Sequence, residues 1–279
     1  MSSPALPLSF RHEAIEVFVD PTAPGMAARA AADFAGAAAE LLASRPELNV
    51  VFAGAESQME FHRALGARGD VEWGRVNAFA VDEFWSPGMP EELAVAAEPR
   101  RELYSRVTMK SVNVLNPSAP DPEAERRRYE ELLLAHPPDI ACIGIGCSGH
   151  LALNEPGATD FRDRQLVRVV DVCEESKRQL EGDPNFKALE AIPERGITMT
   201  VPALMRAARV LVIVPYAVKA AVMRRFFASP VSEALPASVL KTKSGARLYL
   251  DAGSWGEGLE EMEGCKIGGL EAWKGGDRR

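Results

Sequence analysis

Apolar residues fall along this chain in short blocks separated by charged, glycine- or proline-containing joints. Ile15, Val17 and Val19 stand against Glu16 and Asp20, the period of two of a strand. Leu48–Ala53, Arg75–Val81 and Asp139–Ile143 are compact apolar runs that predict buried strands, and Ile197–Val201, Val210–Val214 and Leu248–Asp251 read the same way. Between them the pattern predicts helices over Ala27–Leu42 (started by Pro24), Met59–Leu65, Arg101–Val107, Pro122–Leu134 and Lys219–Phe227. Val112–Leu115 is a short extended piece, and Pro87–Pro99 opens as a loop. Thr159–Arg195 is dense in charge and reads as a mobile, lid-like excursion, about 159–195. The tail after Gly253 is glycine-rich and matches no pattern. Strands alternate with helices through most of the chain, which predicts an α/β fold: a mainly parallel sheet with helices on both faces. No internal repeat, low-complexity tract or linker divides it, so residues 1–279 are expected to form one domain.

Composition narrows the classes of function. The chain has 279 residues, 47% hydrophobic and 26% charged, which suits a globular protein and not a disordered one. A net charge of −8 gives no reason to expect nucleic acid or an anionic membrane surface as partner. The four cysteines, Cys142, Cys147, Cys173 and Cys265, show no C-x-x-C pairing; they read as buried or incidental thiols in a reducing compartment, with no metal site. The N-terminus lacks the basic start and long apolar core of a signal peptide, and no apolar run reaches the ~18 residues of a membrane span. A soluble, cytoplasmic protein is expected, and self-association into a homo-oligomer is left open.

Candidate chemistry concentrates in Asp139–Gly157, where an apolar strand runs into a glycine turn followed by His150 and Glu155. Gly144-x-Gly146-x-x-Gly149 matches the dinucleotide fingerprint, with Asp171 downstream, but Pro156 and Gly157 interrupt the helix the motif requires. The glycines therefore read as a close approach to a small ligand and a turn from which His150 projects. An imidazole there can take and return a proton near neutral pH, with Glu155 orienting it or acting itself; a solvated loop carboxylate is the plainer alternative for Glu155. Asp82 and Glu83 end another apolar strand, where α/β sheets place ligands, although adjacent acids at a strand end are often merely solvated. Ser57 lies at a strand–turn–helix junction and either binds an anion or simply caps the helix. Lys219 starts a helix after Val210–Val214 and either reaches the same face or lies on the surface.

These residues resemble a family. Gly144 to Pro156 is similar to the G-[IV]-G-x-D-G-H-[IL]-A-F-N-E-P signature of glucosamine-6-phosphate deaminases. Val76–Phe84 resembles their strand ending in Asp-Glu-Tyr, and Val214–Lys219 their later strand–turn–lysine element. The order and spacing agree from about Leu48 to Asp251. The resemblance implies a modified Rossmann-like sheet with a lid over the site, and no metal or organic cofactor. It implies Asp82 as the base moving a proton between C1 and C2 of an open-chain amino sugar, and His150 with Glu155 assisting ring opening. Gly54, Ser57, Gly146, Lys219 and a lid cation at Lys177 or Arg178 would bind the sugar or sugar phosphate. The sister 6-phosphogluconolactonases share the glycine–histidine core, but Asn154-Glu155-Pro156 and Phe84 favour the deaminases.

Two departures set further expectations. Ser148 stands where the family has an acid that partners the histidine, so the imidazolium is expected to lose that charge support. The phosphate loop, usually Gly-(Gly/Ser)-Thr-Pro, reads Ala55-Glu56-Ser57-Gln58, and Glu56 opposes a phosphate by about 1–4 kcal/mol at ~4 Å unless it points away. The expected activity is that of an amino-sugar (phosphate) isomerase and deaminase releasing ammonia. The alternatives are a sugar-lactone hydrolase and a sugar-binding regulator without chemistry.

Overall fold

The computed structural model describes residues 6–182 and 192–256. The main sheet contains β1 (Leu8–His12), β2 (Ile15–Asp20), β3 (Leu48–Phe52), β4 (Val76–Ala80), β6 (Ser111–Asn113), β7 (Ile140–Ile143), β10 (Arg209–Val214) and β11 (Ala246–Asp251). A second sheet holds β5 (Asp82–Trp85), β8 (Val167–Asp171) and β9 (Arg195–Met199), all antiparallel. The helices are α1 (Ala23–Leu42), α2 (Met59–Gly66), α3 (Ala97–Pro99), α4 (Pro122–Ala135), α5 (Glu174–Gly182), α6 (Val201–Met205), α7 (Ala220–Ala228) and α8 (Ala252–Trp255).

The main sheet runs in the order β1-β2-β11-β10-β7-β3-β4-β6, and every pairing is parallel except β1 with β2. Successive side chains point to opposite faces. Val51, Ala141, Ile143 and Val212 therefore enter one core with Tyr129 and Leu133 of α4 and Phe226 of α7. Val50, Phe52, Cys142 and Ile213 enter the other with Phe34 of α1 and Phe61 of α2. Burial on both faces is why these strands read as unbroken apolar runs. Helix starts follow local chemistry: Thr22 caps α1 by accepting from Gly25 N at 3.2 Å, and Asp121 caps α4 by accepting from Glu123 N at 2.9 Å.

Chain order makes the site. From β3 the chain builds outward through β4 and β6, then returns to the other side of β3 with β7 and continues to β10 and β11. The direction reverses between β3 and β7, and such a switch point opens a crevice beyond the carboxyl ends of both strands. Val81 links the two sheets: its N–H donates to Phe52 O (3.2 Å) and its carbonyl accepts from Met199 N (2.9 Å). Asp82 is thus fixed where the chain leaves one sheet for the other.

The structure departs from the sequence reading in several places, among them the second, antiparallel sheet with β5. The pattern does not predict β1, and the expected helix at Arg101–Val107 is a π turn over Arg100–Tyr104 following α3. The supposed lid contains a paired strand, β8, and a helix, α5; residues 183–191 of it lie outside the described residues. The period-two pattern of β8 is weak because it is an edge strand of the small sheet with mixed burial.

Candidate active site

The loop after β7 is shaped by its glycines. Gly149 adopts φ +94°, a left-handed conformation that favours glycine, and its N–H closes a turn onto Gly146 O at 2.9 Å. A Cβ on Gly146 would lie 1.9 Å from His150 Nε2, so the imidazole occupies the space a side chain would need. Beyond the turn, Asn154 Nδ2 donates to Leu151 O (2.7 Å) and Met199 O (2.8 Å), pinning the loop to β9. That clamp brings Glu155 back toward His150.

His150 Nδ1 lies 2.7 Å from Glu155 Oε1. Ser148 Oγ lies 2.9 Å from the same nitrogen and donates its proton to Glu155 Oε2 at 2.7 Å. A hydroxyl has one proton, so Ser148 must accept from the imidazole, and Nδ1 carries the hydrogen. The basic nitrogen is then Nε2, beside Gly146. Burial of Glu155 favours its neutral form, but hydrogen bonding and charge from His150, with further donors from Ser148 and Cys173, outweigh it and hold the carboxyl at about 2. The expected loss of charge support at Ser148 is therefore corrected: Glu155 itself is the carboxylate on the imidazole, and Ser148 braces both.

Asp82 differs. Its carboxylate accepts no hydrogen bond from the described residues, and burial pushes it up to about 7, with His150 pulling the other way. Glu83 is almost wholly buried and has a structural part. It accepts from Val95 N (2.8 Å), Phe84 N (3.0 Å) and Ala96 N (3.2 Å), and burial pushes it up to about 8 against those donors. It thereby fixes the segment whose Val95 carbonyl packs on Gly54.

Asp82, His150, Gly54, Ser57, Gly146 and Lys219 line one cavity of about 120 Å³. Lys219 Nζ donates to Ile145 O at 2.9 Å and is the one cation in the lining among the described residues. Glu155 stands behind His150. Lys177 and Arg178 are not brought in. Lys177 binds Glu174 at 3.1 Å and Glu194, while Arg178 Nε donates to Glu174 O at 3.2 Å. The helix turns its buried side chain, Ser176, inward, and the next two residues lie roughly 100° and 200° further round. Glu56 is exposed and absent from the cavity lining. Among the described residues three grooves are larger: those of about 440 and 580 Å³ lie around Arg11, Asp33 and Arg247, and one of about 300 Å³ lies between Glu83, Met89, Arg100 and Leu115; none contains Asp82, His150 or a residue of the loops after β3 or β7.

Sequence reasoning gave no role to Gln58 and Ser176. Gln58 is buried and its Nε2 donates to Ile213 O (3.1 Å), tying the β3 loop to β10. Ser176 Oγ donates to Glu155 Oε1 at 3.1 Å. Neither contact has a local signal, because each joins segments far apart in the chain. Turns, not a helix, follow Gly149, so the dinucleotide geometry is absent. No group of three or more His, Cys, Asp or Glu among the described residues is placed to hold a metal.

A loop of this form at a switch point has counterparts. Residues 21–249 match the model of the glucosamine-6-phosphate isomerases/6-phosphogluconolactonase family. The chain belongs to this family. Among its curated relatives, a glucosamine-6-phosphate deaminase of Listeria welshimeri is 29% identical over 205 residues, covering 74% of this chain and 86% of that protein. One of Streptococcus equi subsp. zooepidemicus is 28% identical over 183 residues, covering 65% and 76%. The fold of this family member is shared by a solved monomeric glucosamine-6-phosphate deaminase (TM-score 0.74, 24% identity, 86% of this chain and 98% of that one). It is shared also by the 6-phosphogluconolactonase of Thermotoga maritima (TM-score 0.67, 18% identity, 85% and 99%). No helix among the described residues is long and apolar enough to cross a membrane.

Proposed function

We propose that this family member is a glucosamine-6-phosphate deaminase-type isomerase, converting a 2-amino-2-deoxy aldose phosphate and water to a ketose phosphate and ammonia. The observation that carries the reading is the pairing, in one cavity, of an unbonded Asp82 carboxyl held near 7 with a histidine whose Nε2 is left basic. Ring opening needs a base for the C1 hydroxyl, and His150 Nε2 supplies it while Glu155 stabilises the imidazolium that forms. Isomerisation needs one group to remove the C2 proton and return it to C1. A carboxyl titrating near 7 can do both at neutral pH. The resulting C2 imine is hydrolysed by water, which releases ammonia. Ser57, Lys219 and the first N–H groups of the turn leading into α2 are assigned to the phosphate, and Gly54 and Gly146 to close backbone approach.

The test is ammonia release from glucosamine 6-phosphate by the wild type and by Asp82→Asn. The reading expects turnover by the wild type and a loss of about 10²- to 10⁴-fold in the variant. Hydrolysis of 6-phosphogluconolactone without ammonia release would reassign the chain to the lactonases. Saturable sugar binding without either product would make it a regulator.

A further inference from the structure

The Glu155 carboxylate is gripped from outside its own loop. Ser176 Oγ donates to Oε1, the oxygen that also faces His150 Nδ1, at 3.1 Å, and both Glu155 and Ser176 are more than nine-tenths buried. Ser176 is itself held by Cys173. The Cys173 Sγ accepts from Ser176 N at 3.4 Å and donates to Ser176 Oγ at 3.3 Å, leaving the serine's own proton for Glu155. Lys177 N donates to Cys173 O at 2.9 Å, the first helical bond, so Cys173 stands at the N-cap of α5. Glu155 therefore meets the first turn of a helix, where the backbone dipole also favours a negative charge.

We propose that Ser176 is a positioning residue: with Cys173 behind it, its hydroxyl makes the seating of α5 part of the His150–Glu155 acid–base pair. This deepens the deaminase reading and rests on it for its link to catalysis. A neutral donor on Oε1 competes with Nδ1–H for the same oxygen and disperses its charge. It weakens the grip of Glu155 on Nδ1–H and keeps the carboxylate from swinging toward solvent. Lys177 and Arg178 follow Ser176 directly, so a displacement of either cation is passed to Glu155 through the Ser176 hydrogen bond. The other titratable or charged groups around the pair are Asp82 at the start of β5, Lys219 ahead of α7, and Cys173 at the start of α5.

The experiment is a histidine ring ¹⁵N NMR titration of the full chain, with His150→Gln identifying the resonance among four histidines. Ser176→Ala is expected to raise the midpoint of His150 by about half a unit or more, Ser176→Thr to keep it within about 0.2 unit of wild type, and the exposed Ser44→Ala to leave it in place. The acid limb of kcat/KM for ammonia release should move in the same direction and order. An unshifted or lowered midpoint in Ser176→Ala, or an equal shift in Ser176→Thr, overturns the proposal. The NMR shift without any ammonia release upholds the positioning role and counts against the deaminase reading.

Discussion

The loop after β7 and the loop after β3 line the same cavity, yet their polar groups are satisfied very differently. In the first, Glu155 is surrounded by donors from His150, Ser148 and Ser176, and Asn154 pins the turn to the second sheet. In the second, Gln58 Nε2 donates to Ile213 O at 3.1 Å, but among the described residues Ser57 has only a long 3.4 Å contact from Gln58, Glu56 is exposed, and Gln58 Oε1 is buried without a hydrogen-bond partner. A buried network with every member bonded holds one geometry, whereas a loop with few bonds is free to adjust to what it binds. The acid–base half of the site is preorganised and the anchoring half is adaptable. Substitutions in the first should act on kcat, and those in the second on KM.

Asp82 gives the largest expected effect. Asp82→Asn removes the proton carrier and should reduce kcat for ammonia release by about 10²- to 10⁴-fold. Stability should move the other way. The carboxyl is raised from 3.8 to about 7, so its contribution is full below pH 3.8 and lost as pH climbs through about 7. Melting temperatures measured across that range should show Asp82→Asn gaining on the wild type as pH rises. A constant offset between the two would mean that burial does not set the state of Asp82.

Glu155→Gln should cost about 10²-fold in kcat, because a neutral amide cannot support an imidazolium. Glu155 is depressed from 4.5 to about 2, the opposite sign. Its stabilising contribution is present above 4.5 and lost as pH falls through about 2. The deficit in Tm of Glu155→Gln relative to wild type should therefore close on acidification. A deficit that persists at pH 2 would show that the loss is of packing and not of charge.

How much of this was legible depends on where the partners sit. The strands β3, β7, β10 and β11 are readable because both faces of the sheet are buried. His150 and Glu155 are readable because strand, turn and side chains lie within one stretch. Ser148 reads as an uncharged partner of His150, as it is at 2.9 Å, but its type does not tell that it also donates to Glu155 Oε2 at 2.7 Å. Ser176, twenty-one residues from Glu155, meets it only because β8 carries α5 back over the loop. Lys177 and Arg178 follow Ser176 on the helix and lie off the cavity lining, held by Glu174 and Glu194.

Ser148 allows a finer test within the preorganised loop. Ser148→Ala removes one neutral donor from Glu155 and one acceptor from His150, and should lower kcat by about tenfold with KM little changed. Ser148→Asp restores the acid of the family signature but puts it against Glu155 Oε2, which Ser148 now approaches to 2.7 Å. Two carboxylates at that distance cannot both stay ionised cheaply. Ser148→Asp should melt lower than Ser148→Ala at pH 7 and recover on acidification. Higher activity than wild type in Ser148→Asp would show that Glu155 had not taken over the acid's part.

Glu56→Gln gives the smallest effect and examines the other loop. Glu56 is exposed and outside the cavity lining, so its charge reaches a bound phosphate mainly through solvent. Removing it should lower KM for a phosphorylated amino sugar by about two- to fivefold, with kcat unchanged. The gain should fade as ionic strength rises past about 0.15 M, where the Debye length is ~8 Å. A tenfold or larger gain that survives high salt would mean that Glu56 turns into the cavity when substrate binds. The β3 loop would then be a gate against phosphate, and the division between a preorganised and an adaptable half would have to be redrawn around it.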